Sequence, residues 1–149
     1  MMMAFHTLSD VLDRVCRAVA GCALIVLLLV VLIQLVARYV LDSPPVWTEE
    51  LARYAMIWAG LLGATVAFKV ASDPVIANIF PEKLSRAIQT IAVLVFLLPI
   101  IAVSRGFLGR AAELSSEVLG ISMIFVVAAV PVAAMVILIH LMARLATRP

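Results

Sequence analysis

Charged side chains are scarce in this sequence: only 13% of its 149 residues are Asp, Glu, Lys or Arg, while 66% are hydrophobic and the mean hydropathy is +1.22. Soluble domains carry about 25% charged and about 45–50% apolar residues. A water-soluble core cannot absorb the excess apolar surface, so the chain reads as an integral membrane protein. Residues that carry chemistry are equally sparse. There is no Gly-rich phosphate loop, zinc motif or nucleophile–base pair. The two histidines, His6 and His140, lie near the chain ends without a partner at ligand spacing, so they cannot hold a haem in mid-bilayer and read as interfacial side chains. Cys16 and Cys22 fall about 9 Å apart along one helix, beyond the roughly 7 Å reach of a disulfide. A net charge of +2 gives no reason to invoke nucleic acid. No metal, cofactor or catalytic residue is expected.

What is present is apolar sequence in four runs, divided by charges. Twenty uncharged residues lie between Arg17 and Arg38, enough to cross a hydrocarbon layer about 30 Å thick. Only 15 lie between Arg53 and Lys69, so the second span reaches back to Thr48, a candidate N-cap, which makes 22 residues. The third starts near Leu84 and the fourth near Val118. The expected fold is all-α, an integral membrane protein with four transmembrane helices at about 18–38, 48–69, 84–110 and 118–144, in a single domain of residues 1–149. The first apolar run is too long for the h-region of a cleaved signal peptide.

Lys and Arg near the helix ends set the orientation. With a cytoplasmic N-terminus, the inside segments hold Arg14, Arg17, Lys69, Lys83, Arg86, Arg144 and Arg148, and the outside ones hold Arg38, Arg53, Arg105 and Arg110. Both termini are therefore expected in the cytoplasm. Residues 1–17 place Phe5, Leu8, Leu12 and Val15 near helical spacing, which fits an amphipathic helix in the inner headgroup layer or a plain extension of the first span. Residues 70–86, bounded by Pro74 and Pro81, read as a short interfacial segment.

The middles of the spans hold few polar groups: Gln34, Thr65, Gln89 and Thr90 are almost the whole inventory, each able to bond across helices. Pro99 and Pro131 interrupt aliphatic stretches and read as packing kinks. Ala55, Ala59, Gly63 and Ala67 recur every four residues along the second span, a small-residue stripe that lets another helix approach closely. Trp58 lies about 15 Å below Thr48 by helical rise, so its indole N–H needs a protein partner.

Charge concentrates at the head of that span in Trp47-Thr-Glu49-Glu50-Leu-Ala-Arg53-Tyr54. Glu49 and Arg53 are i, i+4 and Glu50 and Arg53 are i, i+3, spacings at which side chains on a helix meet. Two acids in a first turn complement the helix dipole. Arg38, at the outer end of the first span, is a second partner for them. Tyr39, Trp47 and Tyr54 suit an interfacial belt. The cluster reads as an anchoring network, not a catalytic one.

These residues also carry a resemblance. Arg38-Tyr39, then Trp47-x-Glu49-Glu50-Leu51-Ala52-Arg53-Tyr54-x-x-Ile57-Trp58 and Gly63-Ala64, resemble the signature of the small membrane subunit (Q-type) of tripartite ATP-independent periplasmic (TRAP) transporters. Length, four spans and Pro131 fit as well. Members often carry a His shortly after helix two, where this chain has Ser72-Asp73-Pro74. The resemblance implies a multi-pass subunit of the bacterial inner membrane, in a secondary transporter driven by a sodium gradient and fed by a periplasmic solute-binding protein. It implies uptake of organic acids, with substrate and ion sites in a large multi-span subunit that the small one braces as a scaffold. Arg38, Trp47, Glu49, Glu50, Arg53, Trp58, Ala59 and Gly63 would then anchor the helix and meet the partner. Two rivals are a self-sufficient four-helix multidrug exporter, which needs a membrane-embedded acid, and a membrane enzyme or electron carrier, which needs an intramembrane His or acid constellation. Neither set of residues is visible.

Overall fold

The computed structural model describes residues 2–70 and 81–146. Its elements are α1 (Met2–Tyr39), α2 (Val46–Val70), α3 (Glu82–Glu113), the single turn α4 (Ile124–Val127) and α5 (Ala129–Ala146). Four helical stretches are long and apolar enough to cross a membrane: His6–Tyr39, Val46–Val70, Ala87–Glu113 and Ile124–Ala146. No extended strand occurs among the described residues, apart from an isolated bridge between Ser115 and Ser122. The chain is thus an all-helical membrane protein with four candidate spans.

One boundary differs from the sequence-based expectation, and one open alternative is decided. The first helix begins at Met2, so residues 2–17 are a plain extension of the first span and not a separate helix. Nothing between Phe5 and Arg17 can interrupt it, since the stretch contains neither Gly nor Pro, and its polar side chains find partners in the bundle. The last span begins at Ile124, not at 118. Val118 to Met123 instead belong to a hairpin-like loop closed by Ser116 N–H to Ile121 O (2.8 Å) and Met123 N–H to Leu114 O (2.9 Å). Gly120 adopts φ +65° in that loop, a conformation glycine takes without a Cβ clash. The expected interfacial segment at 70–86 falls largely outside the described residues.

α1 and α2 form the tightest pair. Along α1 the series Ser9, Asp13, Cys16, Ala20, Ala23, Leu27, Val30, Gln34 and Ala37 is buried or half-buried, and most positions between are exposed. That is alternating 4-3 spacing, the seam of a left-handed coiled pair. In α2 the matching series is Thr48, Ala52, Ala55, Ala59, Leu62, Val66 and Lys69. Small residues dominate both seams, because helices in lipid gain by close backbone approach and not by burying apolar bulk. The bulky aliphatics point outward instead: Leu28 is 63% exposed and Leu32 57%.

α5 lies against α1, α2 and α3, whereas α3 packs on α4 and α5 and touches neither α1 nor α2 among the described residues. Cys16, Ala20, Leu62 and Val136 form the core where α1, α2 and α5 meet, with Trp58, Val66 and Val132 packed around it. Pro131 accounts for the division between α4 and α5. Lacking an N–H, it leaves the Val127 carbonyl without its i→i−4 donor, and regular helix stops at Val127 and resumes at Ala129. Pro99 by contrast sits inside an unbroken α3.

Candidate functional site

Polar side chains collect at the two ends of the bundle. One end holds the α1–α2 turn and the 114–123 loop; the other holds the start of α1 and the end of α5.

At the loop end α2 starts at Val46, two residues before Thr48. Thr48 is therefore not an N-cap. It lies fully buried inside the first turn, where its hydroxyl donates back to Pro45 O at 2.6 Å. The adjacent acids then diverge. Glu49 pairs with Arg53 at 3.7 Å in an i, i+4 bridge whose side chains are 71% and 63% exposed. Glu50, one residue on and so about 100° around the helix, faces the 114–123 loop. Its Oε2 accepts from the backbone N–H groups of Leu119 (2.9 Å) and Val118 (3.2 Å). Its Oε1 accepts from the Tyr54 hydroxyl, which also lies 3.6 Å from Met123 Sδ. A turn farther down, Trp58 Nε1–H donates to Phe125 O at 3.0 Å. Glu50, Tyr54 and Trp58 thus form one face of α2, a polar ladder that holds the loop and α4.

This corrects the expected network. Glu50 is held by loop amides, not by Arg53. Arg38 is exposed at the end of α1 and joins no ion pair with the acids among the described residues. The small stripe divides as well. Ala55 and Ala59 are buried in the seam, but Ala67 is exposed, and no atom lies within 4 Å of where a Cβ on Gly63 would sit. Trp47 is 39% exposed.

The terminal end holds a network that sequence reasoning missed. Lys69 Nζ, at the end of α2, donates to Ser9 O (3.1 Å) and Asp10 Oδ1 (2.8 Å) and lies 3.7 Å from Asp13 Oδ2. Arg17 binds the same Asp13 oxygen at 2.8 Å. Ser9 Oγ lies 2.8 Å from Nδ1 of His140, a buried histidine on α5. His140 is thus a core residue joining the helices, not an interfacial side chain. One signal was available: Ser9 and Asp13 occupy the 4-3 seam that Cys16 and Ala20 continue, so they had to face another helix. Thr65, the other polar residue buried in α2, bonds within its own helix, to Leu62 O at 2.7 Å.

Neither network has catalytic geometry. Both join helices, and no group of three His, Cys, Asp or Glu side chains among the described residues could hold a metal ion. The model of the DctQ component of tripartite ATP-independent periplasmic transporters matches residues 27–148, which takes in the α1 seam from Leu27 onward, the Glu50 ladder and all of α2 to α5. The chain belongs to this family. It is a small permease subunit of a TRAP transporter, a family of transport components and not of enzymes. Over 71 residues the chain is 34% identical to the sialic acid TRAP transporter permease protein SiaT of Haemophilus influenzae (strain 86-028NP). That alignment covers 45% of this DctQ-family chain but only 12% of the relative.

Proposed function

We propose that this subunit is the bracing element of a binding-protein-dependent secondary transporter in the bacterial inner membrane. In this reading residues 1–149 form a single four-helix membrane domain with both termini in the cytoplasm. A larger multi-span membrane subunit carries the substrate and ion sites, a periplasmic solute-binding protein delivers the substrate, and a sodium gradient drives uptake. The substrates are organic acids, and the similarity to a sialic acid permease favours sialic acids among them. The chain itself contributes no catalysis and no cofactor.

The observation that supports this reading is the placement of charge. Charged groups gather at the two ends of the bundle, where Glu50, Lys69, Asp10 and Asp13 bind other parts of the same chain, and the central turns of the spans hold no Asp, Glu, Lys, Arg or His among the described residues. A substrate or ion path across the bilayer needs polar groups at mid-depth. Bracing does not. The separation of α3 from α1 and α2 also leaves apolar helix faces available to a neighbour in the membrane.

The test is gentle-detergent purification from the native membrane, with mass spectrometry of the co-eluting chains. A much larger multi-span partner at constant stoichiometry is the expected result. A lone homodimer would favour a self-sufficient exporter and overturn the proposal.

A further inference from the structure

The histidine of the terminal end has a property that bracing does not require. His140 is 4% exposed, and only Nδ1 has a hydrogen-bond partner, Ser9 Oγ; Nε2 is buried without one. Asp13, one turn from Ser9 on the α1 seam, is 8% exposed and likewise has one satisfied oxygen, Oδ2, and one buried oxygen, Oδ1, without a partner. Buried polar atoms are costly to leave unpaired. Two of them around one serine mark a place where hydrogen bonds can be redistributed.

We propose that His140 is a proton-binding site whose charge state is coupled, through Ser9 and Asp13, to the packing of α1 against α5. Neutral imidazole has one N–H, so Nδ1 can accept from the Ser9 hydroxyl. A proton arriving at Nδ1 makes both ring nitrogens donors. Ser9 Oγ must then accept from Nδ1–H, and its own hydroxyl proton turns to another acceptor. Asp13 Oδ1 is that acceptor, on the same helix face at i, i+4. No bond between heavy atoms is broken; one proton is gained and one hydroxyl rotates.

The charged surroundings make the two states unequal. α1 presents His6, Asp10, Asp13, Arg14 and Arg17 toward this end, α2 presents Lys69, and α5 itself carries Arg144. With neutral His140 the central carboxylates are matched, Asp10 by Lys69 and Asp13 by Arg17 and Lys69. A proton on His140 changes that balance inside a buried contact, so the fit of α5 to α1 depends on pH.

The test uses the full chain purified with the membrane subunits that accompany it. Thermal midpoints of wild type and His140→Gln are measured from pH 5 to 8. The gap between the two proteins should change by about 3 °C or more across that range. In a His6→Gln background, the His140 ring resonances should titrate within the same range, and Ser9→Ala should move their midpoint. A pH-independent gap between the two midpoints overturns the proposal. So does a His140 ring that never titrates between pH 5 and 8, or one that titrates identically with and without Ser9. If His140→Gln does not fold, the Ser9→Ala comparison of the ring decides alone.

Discussion

The two ends of the bundle use polar groups in opposite ways. At the loop end a side chain serves backbone: Glu50 accepts from the Val118 and Leu119 amides and Trp58 donates to the Phe125 carbonyl. At the terminal end side chains from three helices serve one another, with Lys69, Asp10, Asp13, Ser9 and His140 in a single network. The difference follows from what each end contains. The 114–123 loop has backbone groups that no helix satisfies, so a carboxylate aimed at them replaces the missing partners. The terminal end is regular helix in α1, α2 and α5, whose interior backbone groups are already paired, so side chains there bind mainly each other, with Lys69 adding the Ser9 carbonyl.

Breaking one end should therefore differ in kind from breaking the other. Lys69→Met removes the cation shared by Ser9 O, Asp10 and Asp13, and it should lower stability by about 1–3 kcal/mol, read as the thermal or denaturant midpoint of the purified complex. Its effect should spread over α1, α2 and α5. Glu50→Ala should act locally, raising amide hydrogen exchange at Val118 and Leu119 on the order of tenfold while leaving the terminal end protected. Equal exchange changes at both ends would dissolve the distinction.

Packing between the two ends sharpens it next. Ala59 is 7% exposed in the α1–α2 seam, so Ala59→Leu overfills a close contact and should cost about 1–3 kcal/mol. Gly63, one turn on, has open space around it. Gly63→Leu should leave the isolated chain unchanged, and any loss in the complex but not in the chain assigns that position to a partner. Trp58→Phe keeps the ring and deletes the bond to Phe125 O, for about 1 kcal/mol. The smallest effect belongs to the pair most visible in the sequence. A Glu49→Ala and Arg53→Ala double-mutant cycle, read as stability, should give a coupling of about 0.5 kcal/mol or less, because the bridge is long and exposed.

That ordering explains what was legible. Helix number and class followed from apolar runs bounded by charges, which bilayer thickness turns into spans. Glu49–Arg53 was legible because its spacing is local. The Glu50 ladder was half legible: Trp58 needs a partner at its depth, but its acceptor, the Phe125 carbonyl, lies 67 residues away. Ser9 and His140 are 131 residues apart, and nothing local in either stretch names the other. The seam itself was written in the sequence as 4-3 spacing, but it runs through a helix apolar on most sides, where amphipathic contrast disappears. The start of the last span was misplaced for a related reason. Val118, Leu119 and Ile121 are apolar enough for a helix, and the hairpin is set by Gly120 and by Glu50 from another element.

The central claim is that these polar groups hold the subunit together and carry neither substrate nor coupling ion across the membrane. The direct measurement is uptake of labelled sialic and dicarboxylic acids into proteoliposomes under an imposed sodium gradient, comparing the purified chain alone, with its binding protein added, against the chain reconstituted together with its co-purifying large subunit. The account predicts uptake above background only in the second preparation. Gradient-driven uptake by the single chain would contradict it.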